Sequence, residues 1–250
     1  MASADKEPEQ FVGRTLRGAR FGRSDLSGAV MRGVDLQGAD IDAPWLMEEG
    51  GSLLVNGVDV APLVDAELDR RYPGRSERTA QDPEGLRRAH ARLQDTWAAT
   101  LERAATMPEG TVDESVDGEW SFAQTLRHLV LATDIWLGKA VLQKEQPLHP
   151  LGLAHEEYES DGGDMSVFAT EHPSYAEVLE ARADRVAMVR NFLAGITPEQ
   201  LDEERRNPHD PQYPETVRSC LHVILGEEWE HHRYAVRDLD TITARDRPDS

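Results

Sequence analysis

An apolar residue recurs at every fifth position near the beginning of the chain. The members of this series are Phe11, Leu16, Phe21, Leu26, Met31, Leu36 and Ile41. Glycine follows two places after members of the series at Gly18, Gly28, Gly33 and Gly38. An α-helix repeats about every 3.6 residues and a β-strand about every two, so a period of five fits neither. This segment must therefore follow a backbone path of its own.

The five-residue pattern resembles the pentapeptide-repeat family, whose chains wind into a square right-handed β-solenoid. In that family the central Leu or Phe points inward, and a small residue such as Ala19 or Ala29 is tucked beside it. Seven units at four per turn make fewer than two coils, and such repeats need stacked neighbours to bury a continuous core. We therefore expect the hairpin, the rest of the chain or a second subunit to cover one end of the repeats.

The remainder of the chain carries helical periodicity. A short hairpin is predicted at Ser52–Val60, with an Asn-Gly turn, and a short helix from Pro62 to about Arg71. Apolar residues then recur at helical spacing in four segments, near residues 83–107, 121–141, 174–193 and 216–239. The predicted fold is mainly α, an up-down four-helix bundle preceded by a short right-handed β-solenoid and a β-hairpin.

Domain boundaries follow from these patterns. They are a disordered N-terminus at 1–10, a repeat segment with hairpin and short helix at 11–75, a linker at 76–83, the bundle at 84–240 and a disordered tail at 241–250. The segment at 146–173 is too long for an ordinary bundle connection. We expect it to form a lid over a site at the end of the bundle.

The fourth helical segment contains the run Glu-Glu-Trp-Glu-His-His-Arg, beginning at Glu227. Residues four apart share one face of a helix, so Glu228 projects together with His232, and Glu227 with His231. Glu228 and His232 lie in step with apolar positions at Val217, Leu221, Leu225, Ala235 and Leu239. Because a carboxylate is rarely buried without a partner, this pair predicts two ligands of a metal site. A solvated charged face is the alternative.

The second helical segment supplies a third polar group, His128. Ser121 is a suitable N-cap for this helix, and Leu131 and Ile135 lie on the same side as His128. His128 is therefore expected to face inward, as either a core histidine or a ligand.

The Trp120-Ser121 entry, His128 and the Glu-x-x-x-His-His-Arg run together resemble the DinB/YfiT-like proteins over roughly residues 84–240. That superfamily includes low-molecular-weight-thiol transferases and a mycothiol-dependent isomerase. Its metal is held by three histidines, one from the second helix and two from the fourth. Carried over, the ligands are His128, Glu228 and His232. Glu228 replaces a histidine, which leaves the ion open among zinc, nickel and iron.

Glu227 and His231 lie beside these expected ligands and one turn apart. We interpret them as acid–base groups or as groups that support the ligands. Ordinary salt-bridging surface residues are the alternative. Of the remaining histidines, those in loop sequence, His155 and His209 among them, are expected to be exposed.

Composition excludes several classes of function. Lys and Arg number 27 and Asp and Glu 47, giving a net charge of −20, which argues against nucleic acid or anionic membrane as a partner. No stretch approaches the ~20 apolar residues that span a bilayer, and no signal peptide is evident, so a cytoplasmic protein is expected. The single cysteine, Cys220, is expected to fill core space.

The leading hypothesis is a metal-dependent enzyme that acts on a small-molecule electrophile. The resemblance implies S-transfer or isomerisation with a thiol such as mycothiol, and hydrolysis by a metal-bound water uses the same ligands. A metal-free scaffold or a ligand-binding bundle is the non-enzymatic alternative, motivated by Glu228. A repeat-based DNA mimic is less favoured, because five Arg nearly balance four Asp between Arg14 and Ala43. A homodimer would also cover the end of the repeats.

Overall fold

The structure, a computed structural model, describes residues 9–47, 50–155, 158–159 and 162–245. The chain divides into two units, one ending at Ala43 and the other beginning at Pro44. Our sequence-based division instead ends the repeat segment at residue 75. The predicted disordered ends lie mostly outside the described residues.

The first unit is built from tight turns rather than regular strands across residues 9–43, all of which are described. The backbone amides of Ala19, Ala29 and Ala39 each donate to the carbonyl of the leucine three residues earlier, at 2.9–3.0 Å. Positive φ angles recur every five residues from Gly13 to Gly38, and glycine occupies all of these positions except Arg23. Glycine adopts positive φ at no steric cost, which explains its recurrence. The apolar series itself remains 46–57% exposed.

The second unit begins with the predicted hairpin and short helix. Strands β1 (Leu54–Val55) and β2 (Val58–Asp59) pair antiparallel, and helix α1 spans Ala61–Arg71. Asn56 and Gly57, with φ of 52° and 82°, form the turn between the strands. Positive φ at both positions matches the right-handed twist of a two-residue hairpin, as the Asn-Gly sequence predicts.

The predicted linker at 76–83 is packed rather than free. A 3-10 turn covers Arg75–Thr79, and the buried Arg75 guanidinium donates to Asp65 and Asp69 of α1, both at 2.7 Å. Arg75 thus links the 3-10 turn to α1, and the turn itself packs against the first and the last helix of the bundle.

Four long helices, one short helix and a second pair of strands follow along the chain. The long helices are α2 (Pro83–Ala105), α3 (Phe122–Thr133), α4 (Tyr175–Gly195) and α6 (Val217–Arg245). The short elements are helix α5 (Pro198–Leu201) and an antiparallel pair, β3 (Glu204–Arg206) and β4 (Pro214–Thr216). The four long helices lie where the periodicity predicts them, except that α6 extends beyond residue 240. The short elements were not predicted.

Capping residues set the helix starts. The Ser121 side chain accepts from the backbone amide of Gln124, and the Gln124 side-chain oxygen accepts in turn from the backbone amide of Ser121. Ser174 and Glu177 form the same reciprocal pair at the start of α4. Each such box satisfies two backbone donors that a helix end leaves free.

The helices surround one apolar core. Helix α3 packs against α4 and α6, and α2 also packs against α4 and α6, so α2 and α3 occupy opposite corners. Helix α6 therefore has α2 on one side and α3 on the other. The mainly α, four-helix fold is confirmed. Within the described part of the chain, no helix is both long enough and apolar enough to cross a membrane.

Helix α3 continues directly into a π-helix at Asp134–Val141. Its wider turn is seen where the Leu142 amide donates to the carbonyl of Leu137, five residues back, at 2.8 Å. The buried Asp134 accepts from the Arg185 guanidinium at 2.7 Å. π-Helical segments are rare and are frequently found at functional sites.

The segment at 146–173, which we call the strap, is fixed at both ends by one side chain. The buried guanidinium of Arg127 donates to the carbonyl of Leu151 at 2.9 Å, and to those of Thr170 and Glu171 at 3.0 and 3.2 Å. The strap was predicted as a lid, and its first part lies against α3.

Candidate metal centre

Three polar side chains from two helices meet between α3 and α6. They are His128 of α3, and Glu227 and His231 of α6, and their donor atoms lie within 4.8 Å of one another. A Glu227 carboxylate oxygen is 3.6 Å from Nε2 of His128 and 3.4 Å from Nδ1 of His231. The two imidazole rings stack with their centroids 4.7 Å apart.

Backbone carbonyls set the tautomer of both histidines. Nδ1 of His128 bonds to the carbonyl of Leu153 at 3.2 Å, and Nδ1 of His231 bonds to the carbonyl of Glu227 at 2.8 Å. A carbonyl oxygen can only accept, so each Nδ1 carries the hydrogen in a neutral ring. Nε2 of each ring is then left with its lone pair. This arrangement is typical of metal-binding histidines, whose other nitrogen donates to a carbonyl or a carboxylate.

The protonation states at neutral pH also suit a metal. Burial favours a higher pKa for the Glu227 carboxyl, but the neighbouring imidazoles of His128 and His231 hold that pKa below its ordinary value. Burial, followed by the neighbouring His128, lowers the pKa of His231 to about 4. The centre therefore offers an ionised carboxylate and a neutral imidazole, the forms that bind divalent ions.

Glu228 and His232, the ligands predicted from the sequence, lie elsewhere. Both are buried as predicted, at 2% and 4% exposure. The Glu228 carboxylate hydrogen-bonds with the Arg182 guanidinium of α4 and accepts from Gln94 of α2 at 3.2 Å. Nε2 of His232 is 2.8 Å from the Thr100 hydroxyl of α2. The structure therefore does not bring these two side chains to His128.

The difference is one residue of helical register. Successive residues of an α-helix are rotated by about 100°, so Glu227 and His231 point in another direction than Glu228 and His232. The predicted burial pointed to Glu228 and His232, which face α2 and α4. His128 lies on α3 instead. Glu227 and His231, which we assigned to acid–base or supporting roles, occupy the positions beside His128.

An aromatic wall and the strap border the centre. The Trp120 ring lies 4.6 Å from the His128 ring and 6.1 Å from that of His231, centroid to centroid. From the strap, Leu153 supplies the carbonyl bonded to His128, and His155 helps to lower the pKa of Glu227. His155 was predicted to be exposed but is half-buried, and its loop sequence carried no signal of this contact.

Cys220 is buried, as predicted, and its surroundings disfavour thiolate chemistry. Burial raises the pKa of the thiol to about 12, and the nearby Glu215 acts in the same direction. A reactive cysteine needs an accessible, electropositive setting that lowers its pKa. Cys220 is therefore not a candidate nucleophile.

Known protein families match two parts of the chain. A model of the DinB superfamily matches residues 92–235, and eight copies of the pentapeptide repeat match residues 11–42. No curated protein and no solved structure gives a match. The matched ranges contain the motifs on which the two resemblances were based, so both resemblances are confirmed.

Proposed function

Because the DinB superfamily model covers more than half of its residues, the chain belongs to that superfamily, and we propose that its bundle is a metal-dependent enzyme acting on a small molecule. The superfamily commonly binds metal. The proposed ligands are His128, Glu227 and His231. The set contains two imidazoles and one carboxylate, which suits zinc, nickel or iron.

The observation that carries this proposal is the orientation of the two histidines. Hydrogen bonds to the carbonyls of Leu153 and Glu227 hold both rings through Nδ1, which leaves both Nε2 atoms able to bind a metal. Ligand atoms of a tetrahedral zinc, at ~2.0–2.1 Å from the ion, lie roughly 3.3–3.4 Å apart. The 3.6 Å between Nε2 of His128 and the Glu227 carboxylate is close to that separation.

Three protein ligands leave room for water or a substrate, as catalytic metal sites do. A divalent ion bound there would supply Lewis acidity and would lower the pKa of a bound thiol or water. The protein itself orients the imidazoles, keeps Glu227 ionised and shields one side of the rings with Trp120. We infer thiol transfer or isomerisation on a small electrophile as the reaction class, with a low-molecular-weight thiol such as mycothiol as co-substrate. Hydrolysis is the rival that uses the same ligands.

Metal stoichiometry tests the proposal directly. Protein purified without a metal-binding tag is equilibrated with zinc, nickel or ferrous ion, and bound metal is measured by elemental analysis and calorimetry. The native chain should hold one ion. His231→Ala and Glu227→Gln should each weaken binding by about a hundredfold, since a ligand worth ~3 kcal/mol is lost. Glu227→His should retain the ion, because it supplies a third imidazole.

His222→Ala is the matched control. His222 lies on the same helix and is half-buried, and its Nε2 bonds to the carbonyl of Ala80 at 2.8 Å, away from the proposed ligands. Its replacement should leave metal binding unchanged. If the native chain holds no stoichiometric metal, Glu227 serves only as a charged partner of the two histidines, and the enzymatic proposal is abandoned.

Turnover distinguishes the reaction classes. The metal-loaded protein is mixed with a simple thiol and 1-chloro-2,4-dinitrobenzene, and thioether formation is followed together with chloride release. Thiol transfer predicts a rate that requires metal and falls in His231→Ala. Hydrolysis of a small activated ester without any thiol would instead favour a metal-bound water as the nucleophile.

A further inference from the structure

A cavity of about 250 Å³ lies beside the π-helix, and two lysines line it. Lys139 and Lys144 are notable because the whole chain contains only three lysines. The other polar side chains on its walls are those of Glu145, Tyr158 and His209. Two ammonium groups thus face one carboxylate there, in a chain whose net charge is −20.

The π-helix shapes this cavity. It carries Lys139, and Lys144 follows shortly after its last residue. Gly138 lets the opposite wall come close, because a Cβ at that position would lie 2.9 Å from the Cβ of Pro147, which lines the cavity. The sequence thus keeps a small residue where a side chain would push the wall away.

Neither lysine uses all three of its N–H groups in hydrogen bonds to the described residues. Nζ of Lys139 donates to the carbonyl of Pro208 at 3.1 Å, and Nζ of Lys144 contacts the thioether sulfur of Met188 at 3.3 Å. A thioether is a weak acceptor, and an ammonium group has three donors. No carboxylate forms an ion pair with either lysine among the described residues. An anion in the cavity would therefore gain partners without breaking a salt bridge.

The cavity and the candidate metal centre share a neighbour. The His155 ring lies 6.1 Å from that of His209, which lines the cavity. His155 also acts electrostatically on Glu227 of the metal centre. His155 therefore neighbours both the cavity and the proposed ligands.

We propose that this cavity binds the anionic group of a small organic molecule, a carboxylate or a phosphate, through Lys139 and Lys144. The volume suits a small metabolite, since it lies just below the ~300–1,000 Å³ of drug-sized pockets. Lysine is a compact point charge that attracts either group. The cavity is then the anchoring subsite for the substrate. That last step rests on the proposed function, whereas anion binding itself does not.

Calorimetric titration of the full-length, metal-stripped protein tests anion binding alone. The probes are inorganic phosphate, succinate and the neutral analogue succinamide, each at low and high salt. At least one anion should bind with 1:1 stoichiometry and the amide should not. Lys139→Gln and Lys144→Gln should each weaken binding about tenfold, as expected for one lost charge-assisted contact. Phosphate binding without succinate binding, or the reverse, identifies the anionic group.

Arg88→Gln is the matched control. It removes one positive charge from an exposed position on α2 and should leave the affinity unchanged. His231→Ala should lose metal yet keep the anion, whereas the lysine variants should keep metal and lose the anion. Equal affinity in the lysine variants and in Arg88→Gln, or no binding of either anion to the native protein, would overturn the proposal.

Discussion

The buried pair formed by Arg182 and Glu228 gives a quantitative test of where the ligands lie. Both residues are almost fully buried and hydrogen-bonded to each other. Replacing Glu228 with Leu leaves the guanidinium buried without its carboxylate, and Arg182→Met leaves the carboxylate without its cation. Breaking a buried pair in this way costs roughly 3–5 kcal/mol. A domain with ~5–15 kcal/mol of stability loses a large part of it.

The double replacement, Arg182→Met with Glu228→Leu, has a different expected outcome. Removing both charges also removes both desolvation costs, so apolar residues of similar size are often neutral or stabilising. One amino group of Arg182, Nη1, has no hydrogen-bond partner within the described part of the chain, which favours the same result. We expect the double variant to recover most of the stability, with an interaction energy of about 3 kcal/mol or more in the double-mutant cycle.

Urea denaturation followed by tryptophan fluorescence is the appropriate assay. All five tryptophans lie after residue 43, so the signal reports on the helical unit and not on the repeats. Free energies come from linear extrapolation. The reasoning is refuted if each single variant loses less than about 1 kcal/mol, or if the double variant loses the sum of the two. It is also refuted if the folded double variant no longer binds metal, because Glu228 would then be a ligand.

Three further predictions concern acid stability, packing and the repeats. Burial lowers the pKa values of His231 and His232 to about 4 in the folded protein. As the pH falls from ~6.5 to ~4, these two histidines are therefore protonated in the unfolded chain but remain neutral in the folded one. Urea melts of metal-free protein should therefore lose up to about 3 kcal/mol per histidine across that window, and a flat profile would contradict this. Gly138→Ala should lower the thermal midpoint by several degrees and weaken anion binding, whereas Gly226→Ala, with nothing within 4 Å of the added methyl, should do neither. A fragment of residues 1–75 should be unfolded or aggregated by circular dichroism and light scattering, because fewer than two coils leave the apolar series uncovered, and a cooperative monomeric melt would refute this.

Periodicity predicts the helices well because burial on one face requires it. The seam from Val217 to Leu239 appears in the structure as an unbroken buried stripe. The Asn56-Gly57 turn and the cap at Ser121 could also be predicted from the sequence, since both depend on local backbone chemistry. The packing of the predicted linker depends instead on tertiary contacts. Arg75 reaches acids on α1 through the fold, and nothing in its local sequence announces that contact.

Only some of the residues of the candidate site could be predicted from the sequence. The pattern predicts an inward histidine on the second bundle helix and two Glu/His pairs on the last. We chose Glu228 and His232 as the ligands because they lie in step with the buried apolar residues. Burial alone, however, does not indicate which neighbouring helix a side chain faces. Choosing between adjacent pairs required the order of helices around the bundle. The π-helix and its lysine-lined cavity were not accessible, because a widened turn has no local sequence signature comparable to a cap.

The hydrogen bonds of Arg127 have a consequence for how this protein can change. One guanidinium holds both ends of the stretch between Leu151 and Thr170, which restrains the distance between those ends. Doubling the length of a flexible loop costs only about 0.6 kcal/mol. Insertions and deletions there should consequently be tolerated, while His128 keeps its carbonyl partner at Leu153. If the bundle is the proposed enzyme, the length of this loop can vary with its substrate, provided that Arg127 is retained.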